Sequence, residues 1–436
     1  MSNNIDSGQT QASNEPAVID VAPPTTPQPL VASPHPGAPV PSTTKPHKSR
    51  LLAVVAAVVC LALAVAGVIY FLALRPSETQ SEAIRTYFTY SQKDIDALKT
   101  LNSEHSTTQA SIQRWQTKAY NLAENNLALD VDASKLYAYL AVAQMDAVAL
   151  SQKAHGTYVG DIGSVSKSVL CVFYPKDCGQ LLVSDEDAYS KKLADTVLQK
   201  VKERIAADNA QTKAHTLIGD ANHWSGAPPQ IGLSAGSFKP WFMSSGDQFR
   251  PASPPPAPGS AALAEQLAMV KKALAGATNE QKSIVVKWAG GPGTRTPPGI
   301  WLTLADDYMQ ANPVSLRTYL ETRSLLTTSM ADAVIGVFDA KYTYQAKRPF
   351  MIDPSIITIM PTPNHPSYPA GHATISWAAA TVLATQLPAN TTEWERLADE
   401  ASNSRTIGGI HFPIDSEVGK TLGVNIGKEA LKNGKQ

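Results

Sequence analysis

Three segments in the C-terminal third of the chain carry side chains that can hold an anion and move protons. They read KYTYQAKRP at 341–349, PSYPAGH at 366–372 and SRTIGGIHFPID at 404–415. Lysine and arginine supply positive charge, and arginine can bind an oxyanion through two parallel N–H groups. Histidine exchanges protons near neutral pH. The combination indicates chemistry on a small tetrahedral oxyanion.

The first segment places a lysine and an arginine seven residues apart. In a continuous helix, Lys341 and Arg348 would lie about two turns apart with their side chains on the same face. Helical periodicity predicts such a helix over 314–347, and Pro349 would end it. A Lys/Arg pair on a helix is by itself typical of a solvated face. The pair therefore gains meaning only from the other two segments.

The second segment joins a proline-rich loop to a predicted helix at 372–387. Backbone N–H groups at the start of a helix bind anions, and Gly371 lets the backbone approach a ligand closely. His372 stands at this helix start and can donate or accept a proton. Taken alone, the segment is equally consistent with a helix cap that happens to contain a histidine.

The third segment carries Arg405 and His411 on either side of a Gly-Gly turn, which lets both side chains face a common point. Pro413 suits the first turn of a following helix. Asp415 comes about one turn after His411, so its carboxylate can accept the Nδ1–H of the imidazole and leave Nε2 free. We therefore predict an oriented histidine beside the anion.

A metal-cation site is the alternative interpretation, because histidine and carboxylate side chains are common metal ligands. It would use His365, His372, His411 and Asp415. We favour the anion, because Lys341, Arg348 and Arg405 would repel a cation in the same cavity.

In this order and spacing, the patterns K-x6-RP, P-x-GH and SR-x5-H-x3-D resemble the signature of the type 2 phosphatidic acid phosphatase and vanadium haloperoxidase superfamily. The resemblance is greatest to bacterial vanadium haloperoxidase-like proteins and covers about 130–430. It includes the helix at 137–149, GDQFRPASPPP, EQKSIVVKWAGGPGTRTPPGIW and ADAVIGVFDAKY.

The resemblance implies a role for each site residue. The residues expected to bind the oxygens of phosphate or vanadate are Lys341, Arg348, Gly371 and Arg405. In a phosphatase His411 would attack phosphorus, oriented by Asp415, while His372 protonates the leaving oxygen. In a haloperoxidase His411 would be the axial ligand of vanadate, and His372 would help to deprotonate bound hydrogen peroxide for halide oxidation. Vanadate is the cofactor implied by the second reaction, whereas the first needs none.

Two further positions carry information. One departs from the superfamily pattern, and the other bears on which branch of the superfamily the chain resembles. The superfamily normally has serine where this chain has Ala370, and losing a hydroxyl donor to a charged oxygen costs roughly 1.5–3 kcal/mol. We therefore expect weaker anion binding. His365, seven residues before His372, resembles the second pocket histidine of vanadium bromoperoxidases; the alternative is an exposed loop histidine.

These observations favour a haloperoxidase-like enzyme. A phosphatase that hydrolyses phosphomonoesters through a phosphohistidine is the alternative, because the two sites differ mainly in their anion. An inactive anion-binding ectodomain is a third.

The substrate is expected to be a small molecule. Lysine plus arginine equals aspartate plus glutamate, at 37 each, so charge gives no argument for nucleic acid. The oligomeric state stays open.

Helical periodicity dominates the chain from 76 onward, and no convincing alternating strands occur. We predict an all-α helical bundle of the haloperoxidase/acid phosphatase type, divided into a helical region at 76–215 and the site-bearing domain at 216–436. The remaining predicted helices are 78–104, 107–127, 133–154, 185–213, 260–275, 278–289, 299–311, 391–404 and about 413–432. The stretch between 215 and 260 should be ordered, since its aromatic residues need burial. A faint internal repeat pairs DAVALSQK at 146–153 with DAVIGVFDAK at 332–341.

The N-terminal region has a different composition. Residues 1–50 hold ten prolines and no periodicity, which predicts a disordered tail. Residues 51–74 contain no charge and would form a helix long enough to cross a membrane. Basic residues just before this run place the tail in the cytoplasm and the catalytic domain outside. A cleaved signal peptide is the alternative.

Cys171 and Cys178 form either a disulfide, as an oxidising compartment permits, or two free thiols.

Overall fold

The structure, a computed structural model, describes residues 83–184 and 186–434. The predicted tail and the predicted membrane anchor at 51–74 lie outside these residues. Within the described part, none of the helices combines the length and the apolar character that crossing a membrane requires.

The regular secondary structure of the described residues is helical, with no β-strand among them and one isolated bridge between Ser106 and Val159. The first helices are α1 Gln92–Lys99, α2 Gln109–Asn125, α3 Asp130–His155, α4 Ile162–Phe173 and α5 Ala188–Gln211. The later helices are α6 Ala261–Ala275, α7 Asn279–Lys287, α8 Thr296–Ala311, α9 Leu316–Tyr344, α10 Pro349–Ile352, α11 Gly371–Gln386, α12 Thr391–Ile407 and α13 Pro413–Asn433. The all-α prediction is confirmed.

Helices α3 and α9 form the centre of the fold, and both are buried on nearly all sides. Alanine, leucine and valine cover every face of α3, and a helix that is apolar all round must be enclosed. Helix α9 packs against α3 and α11, and α11 packs against α12 and α13. All these described helices belong to one compact unit. The domain boundary predicted at 215/216 stays a prediction.

Helices α11 and α13 approach closely because glycines recur at every fourth residue of α13. A Cβ atom on Gly419 would lie 2.8 Å from the carbonyl oxygen of Ala370, which a real side chain would not tolerate. At the same end, the Ala370 N–H donates to the Asp415 carbonyl oxygen at 2.9 Å. The start of α13 is thereby held against the start of α11.

The helix predicted over 314–347 is shorter than expected. Helix α9 ends at Tyr344, and Gln345 adopts a left-handed conformation with φ 45°. The side chain and carbonyl of Gln345 accept the N–H groups of Ile218 and Trp224, so the long loop stops the helix. Arg348 therefore lies outside α9. The prediction that Lys341 and Arg348 share one helix face was wrong.

In the N-terminal part of the fold, one helix is shorter than predicted and another was not predicted. Among the described residues 83–104 of the helix predicted over 78–104, only α1 is α-helical, because the buried Asp146 carboxylate accepts the N–H groups of Tyr87 and Phe88 at 2.6 and 3.0 Å. Helix α4 was not predicted. Its first turn is capped by the Asp161 side chain, and it leads to the disulfide between Cys171 and Cys178.

The long stretch before α6 is ordered over the helical body, as its aromatic content predicts. The buried Asp332 carboxylate of α9 accepts the N–H groups of Trp241, Phe242 and Met243 at 2.7, 2.8 and 3.2 Å. Asp146 plays the same part in α3, so the two DAV segments of the faint repeat share a structural role. Burial raises the pKa of Asp332 to about 6, although the three N–H groups oppose this shift.

We expect Asp332→Ala to lower the free energy of unfolding by about 3 kcal/mol or more, because each buried N–H left unpaired costs about 1–3 kcal/mol. Chemical denaturation measures this change. The matched control is Asp247→Ala, which removes an exposed carboxylate from the same loop. Equal stability of the two variants would contradict the proposed role of Asp332.

Candidate anion-binding active site

The predicted site residues come from five helix ends and meet in one place. They are Lys341 in the last turn of α9, Arg348 before α10, Gly371 and His372 at the start of α11, Arg405 in the last turn of α12, and His411 and Asp415 around the start of α13. The Arg348 guanidinium lies 3.4 Å from His411 Nε2. The structure thus brings together residues that are up to 74 positions apart in sequence.

Three fully buried cations line this place, and backbone carbonyl groups hold them. Lys341 Nζ donates to the carbonyl oxygens of Pro366 and Ser367, Arg348 to those of His365 and Ile410, and Arg405 to that of Val285, at 2.8–2.9 Å. Within residues 83–184 and 186–434, no carboxylate comes within ion-pair distance of the three. The cluster therefore carries positive charge that a bound anion would neutralise.

Burial lowers the pKa of all three side chains. The two arginines nevertheless stay charged at neutral pH. Burial lowers the pKa of Arg348 to about 10 and that of Arg405 to about 9. Burial and the neighbouring Arg348 also hold the pKa of Lys341 well below its usual range, whereas Asp415 and Asp130 act in the opposite direction. An anion between the three would favour their charged forms.

His411 is oriented by a buried carboxylate, as the sequence predicts. Its Nδ1 lies 3.0 Å from Asp415 Oδ2. Since an ionised carboxylate only accepts hydrogen bonds, Nδ1 carries the proton and Nε2 presents its lone pair toward Arg348. The same carboxylate oxygen accepts the Ser367 hydroxyl at 2.5 Å and the Phe412 N–H at 3.1 Å. Burial raises the pKa of Asp415, and these donors oppose the rise.

Ser367 was not predicted as a functional residue. It lies in the PSYPAGH motif. Its contact with Asp415 could not be predicted, because the two residues are far apart in the sequence. Its hydroxyl orients the carboxylate that orients His411, so it belongs to the site. Ala370, where a serine was expected, is fully buried at the start of α11 and offers no hydroxyl.

His372 stands at the mouth of the site with one nitrogen unused. Its Nε2 is buried and has no hydrogen-bond partner among the described residues. Burial and Arg405 hold the pKa of His372 well below its usual range, while the carbonyl groups of Trp288 and Ala289 face the ring and oppose this shift. The lowered pKa favours the neutral imidazole, which can accept a proton.

His365 is a buried pocket residue and not an exposed loop histidine, with 6% of its surface accessible. Its Nδ1 accepts a hydrogen bond from Arg348 at 3.1 Å, and the Phe338 ring packs edge-on against it. The Pro366 carbonyl lies equally close to Nδ1, but a nitrogen that accepts from arginine has no proton to donate. His365 therefore supports the position of Arg348.

The residues present fit a small oxyanion such as phosphate or vanadate. A Cβ atom built on Gly371 would have no neighbour closer than Lys341 Cε, at 4.0 Å, so there is room beside the backbone. The first N–H groups of α11 have no partner within the helix and are available as donors. In the described part of the chain, no group of three histidine, cysteine or acidic side chains is arranged to hold a metal cation.

Comparison with known proteins agrees with this geometry. Residues 323–432 match the family model of the PAP2 superfamily. This part of the chain belongs to the PAP2 superfamily. The PAP2 segment contains every predicted site residue from Lys341 to Asp415. No curated protein matches the chain in sequence.

Solved structures show how far the fold is shared beyond the PAP2 segment. A bacterial vanadium-dependent iodoperoxidase is similar with a TM-score of 0.61 and 21% identity, over 76% of this chain and 98% of that one. The apo and holo forms of a bacterial vanadium-dependent chloroperoxidase are similar with TM-scores of 0.55 and 0.54, at 12% and 11% identity. They cover 70% and 82% of this chain, and 93% and 96% of their own. The fold is therefore that of vanadium haloperoxidases.

We expect Ser367→Ala to lower kcat about tenfold with little change in KM, because a hydrogen bond to a charged group contributes about 1.5–3 kcal/mol. Loss of this donor also raises the pKa of Asp415 further, so activity should begin to fall at a higher pH on acidification. Steady-state kinetics across pH measure both effects. Ser355→Ala is the matched control, because its hydroxyl donates to the surface residue Asp353. Identical pH profiles for both variants would contradict the role of Ser367.

Proposed function

We propose that the chain is a vanadium-dependent haloperoxidase-like enzyme that oxidises halide with hydrogen peroxide. The observation that carries the proposal is the buried Nε2 of His372, which has no hydrogen-bond partner in the described part of the chain and belongs to a ring whose pKa is lowered. A neutral imidazole accepts a proton, as the deprotonation of hydrogen peroxide requires. Protonation of a phosphoester leaving group would require the opposite state.

In this proposal the residues have separate tasks. The three buried cations and the Gly371 N–H would hold the oxygens of vanadate, and His411 Nε2 would bind the vanadium. Asp415 and Ser367 keep His411 in the tautomer whose Nε2 lone pair faces the anion. When bound, vanadate supplies a Lewis-acidic centre for the activation of peroxide. His372 accepts the proton, and the burial of the cations excludes bulk water from their charges.

The phosphatase reaction is the second candidate, because the PAP2 superfamily match and the same anion-binding groups support it as well. His411 would then be the nucleophile that forms a phosphohistidine, and His372 would need a proton before it could release the alcohol. Phosphate bound among the cations would favour that protonated form. An inactive ectodomain is the least favoured reading, since the His411–Asp415 pair is intact.

We also propose that the catalytic domain is tethered outside the cytoplasm by a single membrane helix at 51–74. The uncharged run and the basic residues that precede it support this placement. The disulfide between Cys171 and Cys178 supports an oxidising compartment. A soluble domain beside the membrane favours soluble substrates.

The test uses the full-length protein with vanadate, hydrogen peroxide and bromide, and follows bromination of a chlorodimedone-type acceptor. We expect activity that His411→Ala abolishes, because the variant loses the nitrogen that would bind vanadium. The matched control is His223→Ala, which removes a partly exposed histidine with a similar aspartate contact, at 2.7 Å from Asp220. This control should keep full activity.

The same samples are assayed with p-nitrophenyl phosphate. Phosphate release that vanadate inhibits, without bromination, would overturn the haloperoxidase proposal in favour of the phosphatase. Failure in both assays, without vanadate binding, would leave the inactive ectodomain.

A further inference from the structure

The C-terminal end of α7 touches two residues of the anion site. The last carbonyl groups of a helix have no partner within it and carry partial negative charge. Here the Val285 carbonyl accepts the Arg405 guanidinium at 2.9 Å. The carbonyl groups of Trp288 and Ala289, just past the helix end, face the His372 ring. One helix end thus contacts both a cation and the proton-accepting histidine.

The Glu400 carboxylate helps to fix this helix end to the rest of the fold. Glu400 Oε1 accepts the Trp288 indole N–H at 2.8 Å and the Lys287 ammonium at 2.7 Å. Its other oxygen accepts Arg396 at 2.8 Å. Burial raises the pKa of Glu400, but these hydrogen bonds outweigh it and lower the pKa to about 2. The three N–H donors thus favour the ionised form of Glu400.

Glu400 and Arg405 lie on the same helix, α12, and each of them contacts the end of α7. Helix α7 is consequently held to α12 at two points, through Trp288 to Glu400 and through Val285 to Arg405. Trp288 is fully buried and packs against Trp301, so it transmits the position of Glu400 to its own backbone. Glu400 makes no direct contact with the anion-binding groups among its hydrogen bonds.

We propose that Glu400 is a positioning residue for the anion site. Its carboxylate anchors the end of α7, and the carbonyl groups there orient the Arg405 guanidinium and the His372 imidazole. The inference rests on the proposed function only in assigning Arg405 and His372 to the site. It applies equally to vanadate and to phosphate, because both reactions need the same two side chains.

The test compares Glu400→Ala with Glu393→Ala in the full-length chain. Glu393 is the matched control, because it binds the same Arg396 through two hydrogen bonds but makes none with α7. The dissociation constants of orthovanadate and inorganic phosphate are measured by calorimetry. Amide hydrogen exchange of residues 279–291 reports separately on the anchoring of α7. Glu400→Gln keeps an acceptor for Trp288 and serves as the conservative variant.

We expect Glu400→Ala to weaken binding of both anions about tenfold and to speed exchange in α7. Glu393→Ala should change neither by more than twofold, and Glu400→Gln should recover most of the affinity. Unchanged exchange in Glu400→Ala would overturn the anchor. Faster exchange with unchanged affinity, or equal losses in Glu393→Ala, would overturn the positioning role. If the wild-type protein binds neither anion, the proposed function fails and the positioning role fails with it, whereas the exchange measurement still decides whether Glu400 anchors α7.

Discussion

The structure depends on one electrostatic constraint: Lys341, Arg348 and Arg405 are buried together without carboxylate partners in the described residues. A buried cation is costly unless hydrogen bonds and opposite charge compensate it. Backbone carbonyls supply the hydrogen bonds, and an oxyanion supplies the charge. A protein that kept these residues only for stability would do better with apolar side chains, so their retention argues for a ligand.

The fold meets this constraint by directing helix ends at one point. The C-terminal ends of α7 and α12 place carbonyls and arginine there, and the start of α11 adds free N–H groups. Close glycine-mediated packing between α13 and α11 then fixes Asp415 beside the loop that carries Ser367. The chemistry is consequently set by the relative positions of rigid helices, and the loops between them only complete it.

Much of this could be predicted from the sequence. Long periodic helices such as α3 and α9 follow from apolar patterning, and the three motifs indicate an anion because their residue types share one chemistry. The path of the chain through Gln345 could not be predicted, since the loop at 216–224 ends α9 from a distance. Ser367 and Glu400 were missed for the same reason. The Glu400–Trp288 bond joins residues 112 positions apart, and no local pattern records it.

The most direct test of the account is a crystal structure of the protein grown with orthovanadate, with vanadium located by its anomalous scattering. We expect one vanadium site beside His411 Nε2, with its oxygens bound by the three buried cations and the Gly371 N–H. Vanadium bound only elsewhere, or none in this cavity at saturating concentration, would contradict the claim that the buried cations exist to hold an oxyanion.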